Sequence, residues 1–376
     1  MINKDRLTAE FARLAAIASP SGREGEICRY LAERFRRLGA SIEIDESGQA
    51  TGSQSGNLLA RLPGAGGEAL MLSAHMDTVE PADGVRPVLR DGVFTSAGDT
   101  VLGADDKAGI AEIIEALEVV RELGLPHPPL EIVITVCEEV GLLGAKHLDL
   151  RRLTARRGLA LDTSGTDLLI HQAPCANKLR FEITGREAHA GIAPEKGISA
   201  IEVAARGIAA MRLGRIDDET TANIGTIQGG LATNIVAKRV IVEGEARSHD
   251  PAKLARQTAH MIECLQQAAR QSGREIDGRR LEPEVRVEAL SDYPRMAVPR
   301  DAPIIRLVQS AAQKLGRRLE VRAAGGGSDA NIFNGHGIET VIIGTGMTQV
   351  HSVEESVAVD DMVQVAELLV EIIRQA

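Results

Sequence analysis

The run Val133-Ile134-Thr135-Val136-Cys137-Glu138-Glu139 is β-branched and apolar until it ends in two adjacent carboxylates. Such a run reads as a buried strand, and a bare carboxylate is costly to bury unless a partner holds its charge. The same pattern recurs along the chain. Ala69 to Ala74 delivers His75-Met76-Asp77, Gly158 to Leu161 ends on Asp162, and Thr340 to Ile343 is soon followed by His351. Asp105 and Asp106 open a helix marked by Ile110, Ile113, Ile114, Leu117 and Val120. Imidazole mixed with carboxylate suits zinc, cobalt or manganese rather than calcium or a thiolate site. Two such ions sharing one carboxylate would place a hydroxide between them and polarise a carbonyl. Taken singly, each residue has an ordinary structural role. Glu138 and Glu139 can open a solvated loop, Asp106 can cap its helix, and a histidine at a strand end is usually hydrogen-bonded scaffold. His127, His147, His249, His260 and His336 are read that way.

The elements that must position these groups follow from periodicity. Helices are expected around Leu7 to Ile17, halted by Ser19-Pro20-Ser21-Gly22, and around Ile27 to Leu38, halted by Gly39. Strands are expected at Ile42 to Ile44, Asn57 to Leu62, Ala69 to Ala74, Leu130 to Val136, Gly158 to Leu161 and Thr340 to Ile343. Their fully apolar character indicates a mostly parallel sheet, whose carboxyl ends are where open α/β folds place their chemistry. After His171 the texture changes to clean alternation. Strands around Leu179 to Ile183, Ala222 to Ile227, Arg239 to Ala246 and Val285 to Val287 interleave with helices at Ile198 to Met211 and Pro251 to Gln271. That β-α-β-β-α-β order is ferredoxin-like. The expected fold is therefore α/β, with a sheet-and-helix catalytic domain at 1–174 and 291–376 and an inserted α+β domain at 175–290. The polar stretch near Asp277 to Arg280 reads as loop.

Composition narrows the function. The chain has 376 residues, a formal charge of -10 and no Trp. That balance argues against a nucleic-acid binder, and no window is apolar enough for a membrane span. The amino terminus carries no signal-peptide core. Cys28, Cys137, Cys175 and Cys264 form no CxxC pair, which fits reduced thiols in a cytoplasmic protein.

Four segments carry a more specific resemblance: Ser73-Ala74-His75-Met76-Asp77-Thr78-Val79, Gly103-Ala104-Asp105-Asp106-Lys107-Ala108-Gly109, Glu138-Glu139-Val140-Gly141 and His351-Ser352. In order and context they resemble the metal motifs of the peptidase T (tripeptide aminopeptidase) family of dinuclear zinc metallopeptidases. That family is related to carboxypeptidase G, aminoacylase and succinyl-diaminopimelate desuccinylase. The resemblance spans nearly the whole chain. It implies that His75 and Asp162 bind one metal, Glu139 and His351 the other, and that Asp105 bridges them. Glu138 would be the general base and Asp77 would hydrogen-bond His75 to fix its tautomer. Gly185-Arg186-Glu187-Ala188-His189-Ala190-Gly191 resembles the segment whose histidine, here His189, binds the oxyanion in a neighbouring subunit's site. Asn234, Arg247 and the loop of Gly326, Gly327 and Ser328 resemble substrate contacts. The inserted domain would then serve as lid and homodimer surface.

The resemblance implies two divalent ions per subunit, zinc first with cobalt or manganese as alternatives. The expected activity is release of the N-terminal residue from tripeptides or similar short peptides by a metal-bridging hydroxide. A dipeptidase, carboxypeptidase or N-acyl amino acid deacylase using the same metals is the nearest rival. An inactive metal-retaining binding protein is the remoter one, and Glu138 speaks against it, since a pure binder needs no base beside its metal.

Overall fold

The computed structural model describes residues Met1–Ala376, which divide into two compact units, Met1–Ala173 with Met296–Ala376, and Pro174–Arg295. The first unit is built on a mixed nine-stranded sheet. Its order is Ser41–Ile44, Leu58–Leu62, Leu130–Thr135, Leu70–His75, Arg157–Leu161, Glu339–Ile343, Leu168–Ala173 and Met296–Ala297, with Glu320–Ala323 also pairing to Leu168–Ala173. The four central strands, from Leu130–Thr135 to Glu339–Ile343, run parallel, and the outer pairings are mostly antiparallel. Leu70–His75 and Leu130–Thr135 are buried at every position. Two-sided burial explains why they carry continuous apolar runs instead of alternation.

Helices flank this sheet. Ala104–Glu122 packs against Lys4–Ala16, Val359–Gln375 and the strand Leu70–His75. The apolar stripe at Ile110 to Val120 suggests one buried face, yet the helix is buried on all sides from Ala104 to Val120. Its acidic residues are held accordingly. Glu115 meets Arg6 Nε at 2.6 Å and Glu118 meets Arg34 at 2.8 Å, as buried carboxylates require. A second, four-stranded antiparallel sheet joins Met347–Thr348, Ser356–Ala358, Val93–Ser96 and Pro87–Arg90. Sequence periodicity missed it because these strands are short and partly exposed.

The second unit has the order strand Cys175–Thr184, helix Ala200–Ala210, strands Thr220–Gly229 and Arg239–Ser248, helix Pro251–Gln271 and strand Glu284–Tyr293. Its antiparallel sheet runs Gly214–Arg215, Thr220–Gly229, Arg239–Ser248, Cys175–Thr184, Glu284–Tyr293. Leu179, Phe181, Ile183, Val240 and Val242 pack beneath Val203, Leu254, Met261 and Leu265 of the two helices. Gly207 allows the approach, since a Cβ there would lie 2.5 Å from Leu265. The segment near Asp277 to Arg280, expected as loop, forms a hairpin of Arg274–Ile276 with Arg279–Leu281 around Asp277-Gly278. The Asp-Gly turn was the available signal. No helix is long and apolar enough to cross a membrane.

Candidate metal centre

Register brings the chemistry to one edge. His75 is opposite Thr135 and Ser73 is opposite Ala160 in parallel ladders. The carboxyl ends of three strands therefore present His75, the Cys137-Glu138-Glu139 turn and Asp162 side by side. Asp105 arrives from the start of the helix Ala104–Glu122, where Asp105 and Asp106 depart from helical dihedrals. Gly103 precedes them at φ +75°, a conformation glycine adopts freely. His351 follows the short strand Met347–Thr348 at φ +61°.

The contacts form a chain. His75 Nδ1–H donates to the main-chain oxygen of Asp77 at 3.0 Å, which leaves Nε2 facing the carboxylates. His75 Nε2 lies 3.0 Å from Asp105 Oδ1 and 3.9 Å from Asp162 Oδ1. The other oxygen of Asp105 lies 3.3 Å from His351 Nε2, which is 3.0 Å from Glu139 Oε2. Asp105 thus stands between two imidazoles, with a further carboxylate on each side.

Crowding shifts the titration of the clustered groups. Burial and the neighbouring Asp162 push the Glu138 carboxyl well above the usual range. Burial and Asp105 do the same to Asp162. Burial opposes charge on His75, but Asp105 and Asp77 outweigh it and hold the imidazole well above its ordinary value. Glu139 Oε1 is buried without any hydrogen-bond partner, an uncommon and costly state. Protons and divalent cations are alternative ways to relieve such crowding, and the donor set fits a borderline metal. Ligand atoms of His75, Asp105 and Glu139 converge within 4.8 Å, as do those of His75, Asp106 and Asp162.

The two aspartates face different partners. Asp106 Oδ2 accepts the backbone N–H of His75 at 3.2 Å. Its Oδ1 is turned inward, 2.5 Å from where a Cβ on Gly109 would sit. Asp106 does not cap the helix, contrary to its sequence position. That task belongs to Glu355, buried and distant in sequence, whose carboxylate accepts from Gly103 N at 2.7 Å and Asp105 N at 2.9 Å. Sequence reasoning missed Glu355 because an acidic residue four places past His351 looks like solvated loop. Lys107 is also buried. It donates to the Ile17 carbonyl at 2.7 Å, and burial draws its ammonium down to about 7.

Asp77 meets His75 as expected and has further partners. Its carboxylate is 3.4 Å from Nδ1, and it accepts Ser21 Oγ at 2.6 Å, Glu138 N at 2.9 Å and Glu139 N at 3.2 Å. Both the Asp77 main-chain oxygen and its carboxylate face the imidazole Nδ1.

The remaining candidates are placed as follows. In the second unit, His189 and Asn234 lie on adjacent antiparallel segments, tied by Ala190 N to Asn234 O at 2.9 Å. Arg247 pairs with Glu245 two residues earlier on the same strand face, at 2.8 and 2.9 Å. In the first unit, Ser328 caps the helix Asp329–Gly335, accepting from Ala330 N while its own N–H donates to Asn331 Oδ1 at 3.0 Å. Gly326 and Gly327 precede it in the same loop. The expected scaffold role suits His127, His260 and His336, each hydrogen-bonded to backbone.

Known proteins share this organisation. The Bacillus subtilis (strain 168) protein YqjE is 43% identical over 378 residues, covering 100% of both chains. An aminopeptidase PepT from Bacillus cereus is similar at 42% identity and TM-score 0.89, over 100% of this chain and 99% of that one. A tripeptidase from Staphylococcus aureus is similar at 38% identity and TM-score 0.92, over 100% and 98%. The family model described as Peptidase family M20/M25/M40 matches residues 71–375, a span that holds His75, Asp105, Glu138, Glu139, Asp162 and His351. The chain belongs to peptidase family M20/M25/M40.

Proposed function

We propose that the protein is a dinuclear metal exopeptidase, an aminopeptidase releasing the N-terminal residue of tripeptides or similarly short peptides. One observation carries the reading: the two oxygens of Asp105 lie 3.0 and 3.3 Å from the Nε2 atoms of His75 and His351. Around that shared carboxylate, Asp162 would complete one metal's ligands with His75, and Glu139 the other's with His351. Zinc would fit both, with cobalt or manganese as alternatives. Such ions, when bound, would polarise the scissile carbonyl and acidify a water. Glu138 would take a proton from the attacking water and return it to the leaving amine nitrogen. The likeness to the B. cereus aminopeptidase and the S. aureus tripeptidase supports peptides over acylated amino acids.

His189 would stabilise the oxyanion from a partner subunit across a homodimer formed by the inserted unit. Asn234, Arg247, Gly326, Gly327 and Ser328 would contact the peptide. Arg247 would reach a substrate carboxylate only in exchange for Glu245, and Ser328 would offer its backbone, since its hydroxyl caps a helix. Four unpaired cysteines agree with a cytoplasmic setting. The test is a panel of free tripeptides, N-blocked tripeptides and N-acyl amino acids, with products identified by mass spectrometry. Loss of the N-terminal residue from free tripeptides alone is expected. Cleavage confined to the blocked or acylated substrates overturns the aminopeptidase reading.

A further inference from the structure

The turn Ser19 to Glu24 lies between the helices Lys4–Ala16 and Gly25–Arg37, but its side chains reach elsewhere. Glu24 is fully buried at the N-cap position of the helix Gly25–Arg37 and makes no side-chain cap there. Its Oε1 instead accepts from Gly22 N at 2.9 Å, Cys137 N at 3.1 Å and Cys137 Sγ at 3.2 Å, and its Oε2 accepts from Ser53 Oγ at 2.5 Å. The same turn holds the segment after His75. Ser19 Oγ donates to Met76 O at 2.8 Å, Thr78 N donates to Ser19 O at 3.0 Å, Ser21 N donates to Thr78 O at 3.2 Å, and Ser21 Oγ donates to Asp77.

These bonds converge on the base. Three successive amides, of Cys137, Glu138 and Glu139, donate to two buried carboxylates, Glu24 for the first and Asp77 for the other two. Cys137 sits at φ +52°, a left-handed conformation that a side-chain-bearing residue keeps only when its surroundings impose it. Burial, with Glu24 beside it, lifts the thiol to about 12, so it remains a donor.

We propose that Glu24 is a positioning residue, and that the Ser19-to-Glu24 turn sets the base Glu138 and the ligand Glu139 relative to His75. The proposal rests on the roles given to those residues under the proposed function. Glu24 touches no substrate in this account. It acts through the backbone of the turn that carries the base, where displacement on the order of 1 Å costs roughly 100-fold in rate.

The experiment compares zinc-loaded wild type with Glu24→Ala and Glu24→Gln. Two quantities are read: the kcat and KM for a free tripeptide, and the rate at which a chromogenic chelator withdraws zinc. Glu24→Ala should lower kcat roughly 10- to 100-fold with KM within about 2-fold. It should also release one of its two ions roughly ten-fold faster, because Glu139 is loosened with the turn. Glu24→Gln keeps an acceptor for the Cys137 and Gly22 amides and should stay within about 3-fold of wild type on both counts. A Glu24→Ala protein that melts lower yet matches wild type in kcat and zinc release overturns the proposal, as does a Gln variant as impaired as Ala. Should Glu24→Ala fail to fold, Ser21→Ala removes only the hydroxyl link to Asp77. A few-fold loss in kcat with faster zinc release is then expected, and wild-type behaviour in both overturns the proposal. Altered zinc release in the variants of a wild type that cleaves no peptide supports the positioning role while the proposed function fails.

Discussion

Asp77→Ala removes the only acceptor that Glu138 N and Glu139 N have in the structure. Each orphaned amide costs about 1–3 kcal/mol, so the pair amounts to roughly 2–6 kcal/mol against a typical domain stability of about 5–15 kcal/mol. Glu138 and Glu139 are only partly buried. Substitution also deletes a buried charge, and Asp77→Asn controls for that. Asparagine removes the same charge but keeps one carbonyl oxygen to accept from Glu138 N. The difference between the two variants combines the Glu138 amide, about 1–3 kcal/mol, with the packing that Ala lacks and with the asparagine NH2 set against Glu139 N. Urea unfolding of zinc-loaded protein, followed by circular dichroism, measures it. If Ala and Asn unfold at the same urea concentration, Asp77 is not what holds the turn.

Four residues of the proposed metal and oxyanion sites give three further expectations. Asp105→Ala should strip both metal sites and His351→Ala mainly one, by elemental analysis; an Asp105→Ala protein with two tightly bound ions contradicts the bridging role. Hydrogen bonds to Asp105 and Glu139 hold the His351 imidazole up to about 10 from an ordinary 6.5. A folded-state pKa above the unfolded one contributes stability that is complete below 6.5 and is lost as pH rises through 10. Protein stripped by a chelator should therefore melt at falling temperature from pH 6.5 towards 10, modestly because His351 is half-exposed. Metal-loaded protein should not follow it, since a ligating imidazole is already neutral. Finally, Glu138→Gln and His189→Ala subunits, each inactive alone, should on co-refolding recover roughly a quarter of wild-type activity, since about half the dimers are mixed with one intact site of two. No recovery would place His189 in its own subunit's site, and an active His189→Ala homodimer would remove it from the chemistry.

The candidate centre was legible because parallel-strand ends announce themselves. Continuous apolar runs stop at His75, Cys137 and Asp162, and the sheet register sets those stops side by side. The ferredoxin-like order was legible from alternation at Leu179 to Ile183 and Arg239 to Ala246. Long-range partners were not. Glu24 and Glu355 lie 113 and 250 residues from the amides of Cys137 and Asp105 that they hold, and no local pattern records which carboxylate folds back onto which N–H. Arg247 shows a signal that was present but unused, because Glu245 two residues earlier shares its strand face. Asp106 shows local propensity overruled. A helix start favours a capping aspartate, but the departure from helical dihedrals at Asp105 and Asp106 turns the side chain to His75 N.

The central claim is that Glu138 is the proton-transferring group beside two metals that it does not itself hold. Glu138→Gln keeps the shape and the backbone bond to Asp77 while removing the base. Elemental analysis and tripeptide turnover on one purified sample of this variant test the claim most directly. The account predicts two ions per subunit and turnover reduced by a factor on the order of 100 to 10,000. Near-normal turnover in the fully metallated variant contradicts it.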